Sequence, residues 1–401
     1  MINPFVGQEL EVAIEVSRLY ELMGRIYFYS QETLPIMYCI LSFVNTAEKA
    51  GPSAELASSY SGMAVLAGLA QLHSLAETYV ERALAIAEEV NEPSNLITVS
   101  VVTSVYQITV GKWNEIRARA EKAKAICEHL GDYRQWGDSV VVLAESALIS
   151  GDIQYALNTQ KILLEDARRR HNPLQQGWGL FGVAANNIRL GNEGMAIPML
   201  EEALQILEEI PNLASSINTN GELALAHLRL GQSEQALAYA SRVIDLALDI
   251  SPTVYSMDIG FAAVAEVYFE LWERTLHDPN RQLDVDKYRL LAEKAIKLLR
   301  AFQKVFPIGQ PPAYYYQGWY EWLRDRPQNA IKFWRKGLEA AQKFNMPYEE
   351  GLIRVKLGIA LKGDFTERKE VFTRAIQIFE RMGAVHELRS AKRAEAEVTQ
   401  I

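Results

Sequence analysis

Cysteine is almost missing: the 401 residues contain two, Cys39 and Cys127. That excludes a disulfide framework and a cysteine zinc ribbon, and it fits a reducing, cytoplasmic setting. Histidine is equally sparse, with His73, His129, His171, His227, His277 and His386 each standing alone and none at metal-ligand spacing from another. No apolar run approaches the roughly 20 residues that a membrane span needs. Residues Met1–Leu10 carry no basic cluster before an apolar stretch, so they do not read as a signal peptide. Glycine (24) and proline (14) are too few for a low-complexity or disordered chain. Basic charge is also short in the front of the chain: residues 1–270 hold 17 Lys and Arg against 33 Asp and Glu, and residues 271–401 hold 24 against 17. Neither part has the concentrated basic stripe of a nucleic-acid binder, so neither nucleic acid nor membrane is expected as a partner.

What the sequence does have is self-similarity. Gly24, Ala64, Ser104, Ala144, Ala184 and Ala224 stand one frame of 40 residues apart. Seven positions later come Gly111, Gly151, Gly191 and Gly231, with Gln31 and Gln71 in the two earlier copies. A second pair of small or apolar residues follows, seven apart, as in Ala76/Ala83, Ala156/Leu163 and Ala196/Ala203. Seven residues are two helical turns, so each pair shares one helix face. The glycine ends the first helix by taking a left-handed conformation, and the polar residue after it favours a turn. Each unit therefore predicts a helix–turn–helix hairpin with one apolar face left over, which only another hairpin can bury.

The register is regular over about 17–250 and looser over about 251–383. Leu276–Asp284 reads as a polar insertion, Asp325-Arg326-Pro327 and Gly363-Asp364 read as turns, and about 384–401 reads as a charged capping helix. The expectation is an all-α, right-handed superhelical solenoid of about nine hairpins plus that cap, forming one domain over 1–401 with a long curved groove.

Copies such as Leu190-Gly191…Ala196…Ala203 and Leu230-Gly231…Ala236 resemble tetratricopeptide repeats, lengthened by about six residues per hairpin. Lengthened units of this kind are similar to the superhelices of MalT-type transcription activators and related signalling ATPases. The segment Ala330–Gly351, with its Asn345-Met346-Pro347-Tyr348-Glu349-Glu350, and the later Phe379-Glu380-Arg381-Met382-Gly383-Ala384 resemble the C-terminal repeats of class III adenylate/guanylate cyclases. The resemblance implies a regulatory or scaffolding region of a multidomain signalling protein. It implies no catalytic residues, because the cyclase and ATPase motifs are absent. A MalT-type small-molecule sensor is the alternative it leaves open.

The residues give little sign of catalysis, of a cofactor or of a metal. Gly177-Trp178-Gly179-Leu180-Phe181-Gly182 spells GxGxxG, but inside a first helix, where thin helix packing explains it better than a dinucleotide. Cys127 and His129 are too close along a helix to converge on an ion, and paired glutamates such as Glu201/Glu202 read as solvated faces. The candidate partner-binding residues are aromatic and basic. Tyr315, Trp319 and Trp322 fall in a stretch with six aromatics in nine positions, which the frame turns toward the concave side, and Lys332, Arg335 and Lys336 form a nearby basic patch. The remaining groove positions are mostly apolar, for example Val101, Val105 and Ile108, which suits a protein or peptide segment, including one from another domain of the same protein.

Overall fold

The computed structural model describes residues 6–30, 32–210, 212–248, 250, 252–278, 284–361 and 365–399. Those residues form nineteen α-helices and no strand. They fall into two compact units, Met1–Ser146 and Ala147–Ile401.

The first unit holds α1 (Gln8–Tyr29), α2 (Thr33–Ala50), α3 (Ala54–Leu69), α4 (His73–Val90), α5 (Pro93–Ile108) and α6 (Trp113–Leu130). Helix α7 (Tyr133–Ile149) crosses the boundary. The second unit continues with α8 (Ile153–Arg170), α9 (Pro173–Arg189), α10 (Glu193–Glu209), α11 (Leu213–Arg229), α12 (Ser233–Ala247) and α13 (Asp258–Leu276). It ends with α14 (Val285–Val305), α15 (Gln310–Leu323), α16 (Pro327–Lys343), α17 (Pro347–Ala360), α18 (Phe365–Met382) and α19 (Val385–Thr399). The helix order is that of nine hairpins and a final helix. The turn Gly363-Asp364 and the Pro279–Leu283 part of the insertion lie outside the described residues.

The repeat frame explains the packing position by position. Ala64, Ser104, Ala144, Ala184 and Ala224 are all buried at helix crossings. So are Ala76/Ala83, Ala156/Leu163, Ala196/Ala203, Ala236/Val243 and Tyr288/Ala295 on the second helices. Gly111, Gly151, Gly191 and Gly231 take φ of 75°, 90°, 79° and 78°, and Gln71 takes 62° at the matching position. Pro327 opens α16, where a missing N–H costs nothing. The sequence places the thirteenth helix from Val254; a single 3₁₀ turn at Tyr255–Met257 comes first, and α13 starts at Asp258.

The second unit is not the open trough that simple stacking predicts. Its last hairpin and α19 lie against the helices at its start. Tyr348 and Val355 of α17, Phe372, Phe379 and Met382 of α18, and Ala391 of α19 share one core cluster with Ile153, Leu148 and Leu190. The physical reason is the apolar face that α17–α18 leaves beyond its contact with α16: it is buried against Leu148, Ile153 and Leu190. Helix α19 thus has two sides. Ala391 and Leu388 enter the core, while Arg389, Lys392, Arg393 and Glu397 face water as a cap should.

The tightest crossing joins α11 to α13. A Cβ on Gly221 would sit 2.6 Å from Gly260 Cα, and one on Gly260 would sit 2.6 Å from the Ile217 carbonyl oxygen. Backbone cannot yield as a flexible side chain can. Gly260→Ala is therefore expected to lower stability by about 1–3 kcal/mol. Gly194→Ala, where a Cβ meets nothing within 4 Å, should be neutral or stabilising by up to about 1 kcal/mol. Chemical denaturation of the two variants checks the contrast; equal effects would contradict it.

Candidate functional site

The closure of the second unit brings five first helices round one polar centre. Arg189 ends α9 and Arg229 ends α11, one repeat apart, and both side chains turn inward instead of to solvent. Arg229 is the more enclosed, at 2% exposure. It pairs with Glu387 of α19 at 2.6 Å and Glu266 of α13 at 3.3 Å, and donates to the Ile188 carbonyl at 3.1 Å. Arg189 donates to the Tyr348 hydroxyl at 3.2 Å, and its guanidinium lies 4.4 Å from the centre of that ring. The Tyr348 hydroxyl in turn donates to Glu387 Oε1 at 2.7 Å. Glu387 is thus fixed by two partners, Tyr348 and Arg229, which lie 39 and 158 residues before it in the chain.

Charge here is governed by burial and by these pairs. Burial pushes the Glu387 carboxyl up, but Arg229 and Arg189 outweigh it and hold the group below its ordinary range. Glu222 of α11 is fully buried with Arg189 3.8 Å away. Neither of its carboxylate oxygens has a hydrogen-bond partner among the described residues, and burial raises its pKa. Glu349 of α17 is raised to about 7, also by burial, and its Oε2 has no hydrogen-bond partner among the described residues.

Beside this cluster lies a cavity of ≈ 30 Å³, bordered by Arg189, Glu266, Tyr315, Tyr316, Tyr348 and Glu349. That is room for water rather than for a drug-sized ligand, which occupies several hundred Å³. One arginine, two glutamates and three tyrosines give it hydrogen-bonding groups, while Leu225, Ala263, Pro312 and Leu352 make much of its wall apolar.

The residues singled out from the sequence do not form one surface. Tyr315 borders the cavity and is buried, with its carbonyl accepting from Trp334 Nε1 at 3.0 Å. Trp319 is buried too, under Lys356 Nζ at 3.5 Å from its ring centre. Trp322 packs against Trp334 of α16, 6.0 Å between ring centres, and so faces its partner helix. Lys332, Arg335 and Lys336 lie on the exposed side of α16, where Arg335 pairs with Glu367 at 2.9 Å. Gly179 and Gly182 of the GxGxxG stretch sit in mid-α9, closely packed on Leu164 and Gln160 of α8. Cys127 is buried and His129 exposed, and no group of three metal-ligating side chains occurs among the described residues. No described helix is long and apolar enough to cross a membrane.

Sequence reasoning missed Arg189, Arg229, Glu222 and Glu387. A signal existed for the arginines: Ile188-Arg189-Leu190-Gly191 and Leu228-Arg229-Leu230-Gly231 repeat an arginine at one frame position, flanked by apolar residues.

Glu349 makes the site pH-sensitive. The folded chain keeps a proton on it that the unfolded chain releases above about 4.5. Its contribution to stability is therefore full below that pH and is lost as pH rises toward 7. In Glu349→Gln the loss is removed, so the variant's melting temperature should exceed that of the natural chain by more at pH 8 than at pH 5. A difference independent of pH would contradict the assignment.

No protein-family model matches the sequence, and no curated protein matches it. Solved structures do. A Rap protein complexed with Competence and Sporulation Factor aligns with a TM-score of 0.51 at 11% identity, over 97% of this chain and 99% of that one. The Rap conjugation gene regulator of the plasmid pLS20, in complex with the Phr* peptide, aligns with a TM-score of 0.54 at 12% identity, over 93% and 97%. With the forty-residue frame and the all-helical order, these likenesses make the fold that of a tetratricopeptide-like helical repeat.

Proposed function

We propose that the chain is a non-catalytic interaction scaffold that captures a protein or peptide segment on the inner faces of its first helices. We read it as the regulatory repeat region of a larger signalling protein of the cyclase or ATPase type. The 40-residue frame runs without a break through α7, so 1–401 is read as one repeat array.

One observation carries the reading. The C-terminal ends of α9 and α11, with Leu148, Ile153 and Leu190 beside them, already hold a helical segment, the chain's own α17–α19, through a mixed apolar and charged contact. Surfaces of that kind recognise helices and extended peptides generally. The structural neighbour with the Phr* peptide shares this fold over nearly its whole length, which supports a peptide as the partner class. Two stretches that resemble cyclase tails, Asn345–Glu350 and Phe379–Ala384, supply Tyr348, Glu349 and Met382 to the closure, which supports a regulatory role for it. This cavity alone is far below the volume of a small-molecule pocket, and the Phr* peptide of the structural neighbour favours the peptide reading over the MalT-type alternative.

Peptide-display selection on the full chain tests this. Sequences should be enriched over a helical-repeat control, and the enrichment should fall in Arg189→Lys and Tyr315→Phe variants that melt like the natural chain. Failure to enrich, or enrichment indifferent to both substitutions, would overturn the proposal.

A further inference from the structure

The two ends of the chain treat their leftover faces differently. The C-terminal end folds back and is covered; the N-terminal hairpin α1–α2 keeps an apolar face that none of the described residues covers. On α1, Val12, Leu19, Leu22, Met23 and Ile26 are each between 38% and 58% exposed. At 100° per residue they fall within one arc of about 100°. Ala13 and Ser17, which are buried, lie on the opposite side. On α2, Leu34, Met37, Tyr38 and Leu41 are 37–78% exposed. Tyr38 meets the edge of Tyr20 on α1, with ring centres 6.2 Å apart. No charged residue occurs between Thr33 and Ala47.

The repeat frame identifies what this α1 face is built to meet. One repeat later, position 22 becomes Gly62, which packs on Ile40 of α2 in the preceding hairpin. In the fifth copy it becomes Gly182, packed on Gln160, the frame equivalent of Ile40. Position 19 becomes Gly179, packed on Leu164. Every one of these contacts is with the second helix of the hairpin before. Among the described residues no hairpin stands before α1, yet this face of it is apolar. The exposed face of α2 is a further departure: its equivalents Ser74, Glu77, Thr78 and Glu81 on α4 are polar.

We propose that α1–α2 is a homodimer interface, in which a second copy of this chain lays its own first hairpin on the first. The area suits it: at ~150–200 Å² for a fully exposed side chain of this size, the nine residues leave roughly 900 Å² of apolar surface, against about 800 Å² per partner in a standard interface. It also exceeds the largest apolar patch of a typical monomer, about 300–600 Å². A two-fold contact buries one apolar patch on its twin and needs no complementary charges, which Thr33–Ala47 does not offer.

Sedimentation velocity on the full chain, from about 1 to 100 µM, reads the result. The natural chain is expected to sediment as a dimer. Leu22→Glu/Ile26→Glu and Leu34→Glu/Tyr38→Glu should each weaken the dimer by about 100-fold or more. All four positions are exposed, so melting and circular dichroism should change little. A natural chain that stays monomeric throughout would overturn the proposal and assign the patch to a foreign protein or an attached segment. A dimer that survives both double substitutions would overturn it equally. Should either variant misfold, the natural chain's own concentration series still decides the first point, and Tyr38→Ser decides the second.

Discussion

A helical hairpin with apolar residues on two sides cannot stand alone, and that constraint orders the whole structure. Each first helix carries a small residue where it crosses its partner and a second apolar edge for the hairpin before it. Burial of that edge at about 25 cal/mol per Å² is the main favourable term available to such a chain. The cost is dependence on neighbours. A hairpin without a neighbour on one side keeps an apolar face that something else must cover.

The C-terminal end of the second unit meets the problem by returning to α8–α11. Apolar contact through Tyr348, Phe379 and Met382 supplies most of the covered surface. Arg189, Arg229 and Glu387 add direction. Buried ion pairs contribute little net stability once desolvation is counted, but an unpartnered buried charge is strongly unfavourable. The pairs therefore fix where α17 and α19 sit more than how strongly they hold. The same arrangement leaves a small cavity of mixed lining with Glu349 at its edge.

Much of the hairpin order was legible in the sequence, because its causes are local. Turn glycines at Gly111, Gly151, Gly191 and Gly231 and the pairs seven apart follow from helix geometry alone. The closure was not legible. Arg189 looks like an ordinary helix-end cation until Tyr348, 159 residues on, is placed beside it, and no local periodicity carries that distance. Trp322 illustrates the finer limit: the frame turned it inward, but the bulk of Trp334 on α16 draws it to the partner helix. The apolar face of α1 has the same spacing as a buried one, so only the structure shows that nothing in the described chain covers it.

Hydrogen exchange along the full chain tests the closure most directly. If the terminal hairpin is buried on the unit's first helices, amides of α19 exchange about as slowly as those of α11, and Arg229→Met accelerates α17 and α19 together while sparing α12. Fast exchange of α19 in the natural chain, at the rate of a frayed terminus beside a protected α11, would contradict it.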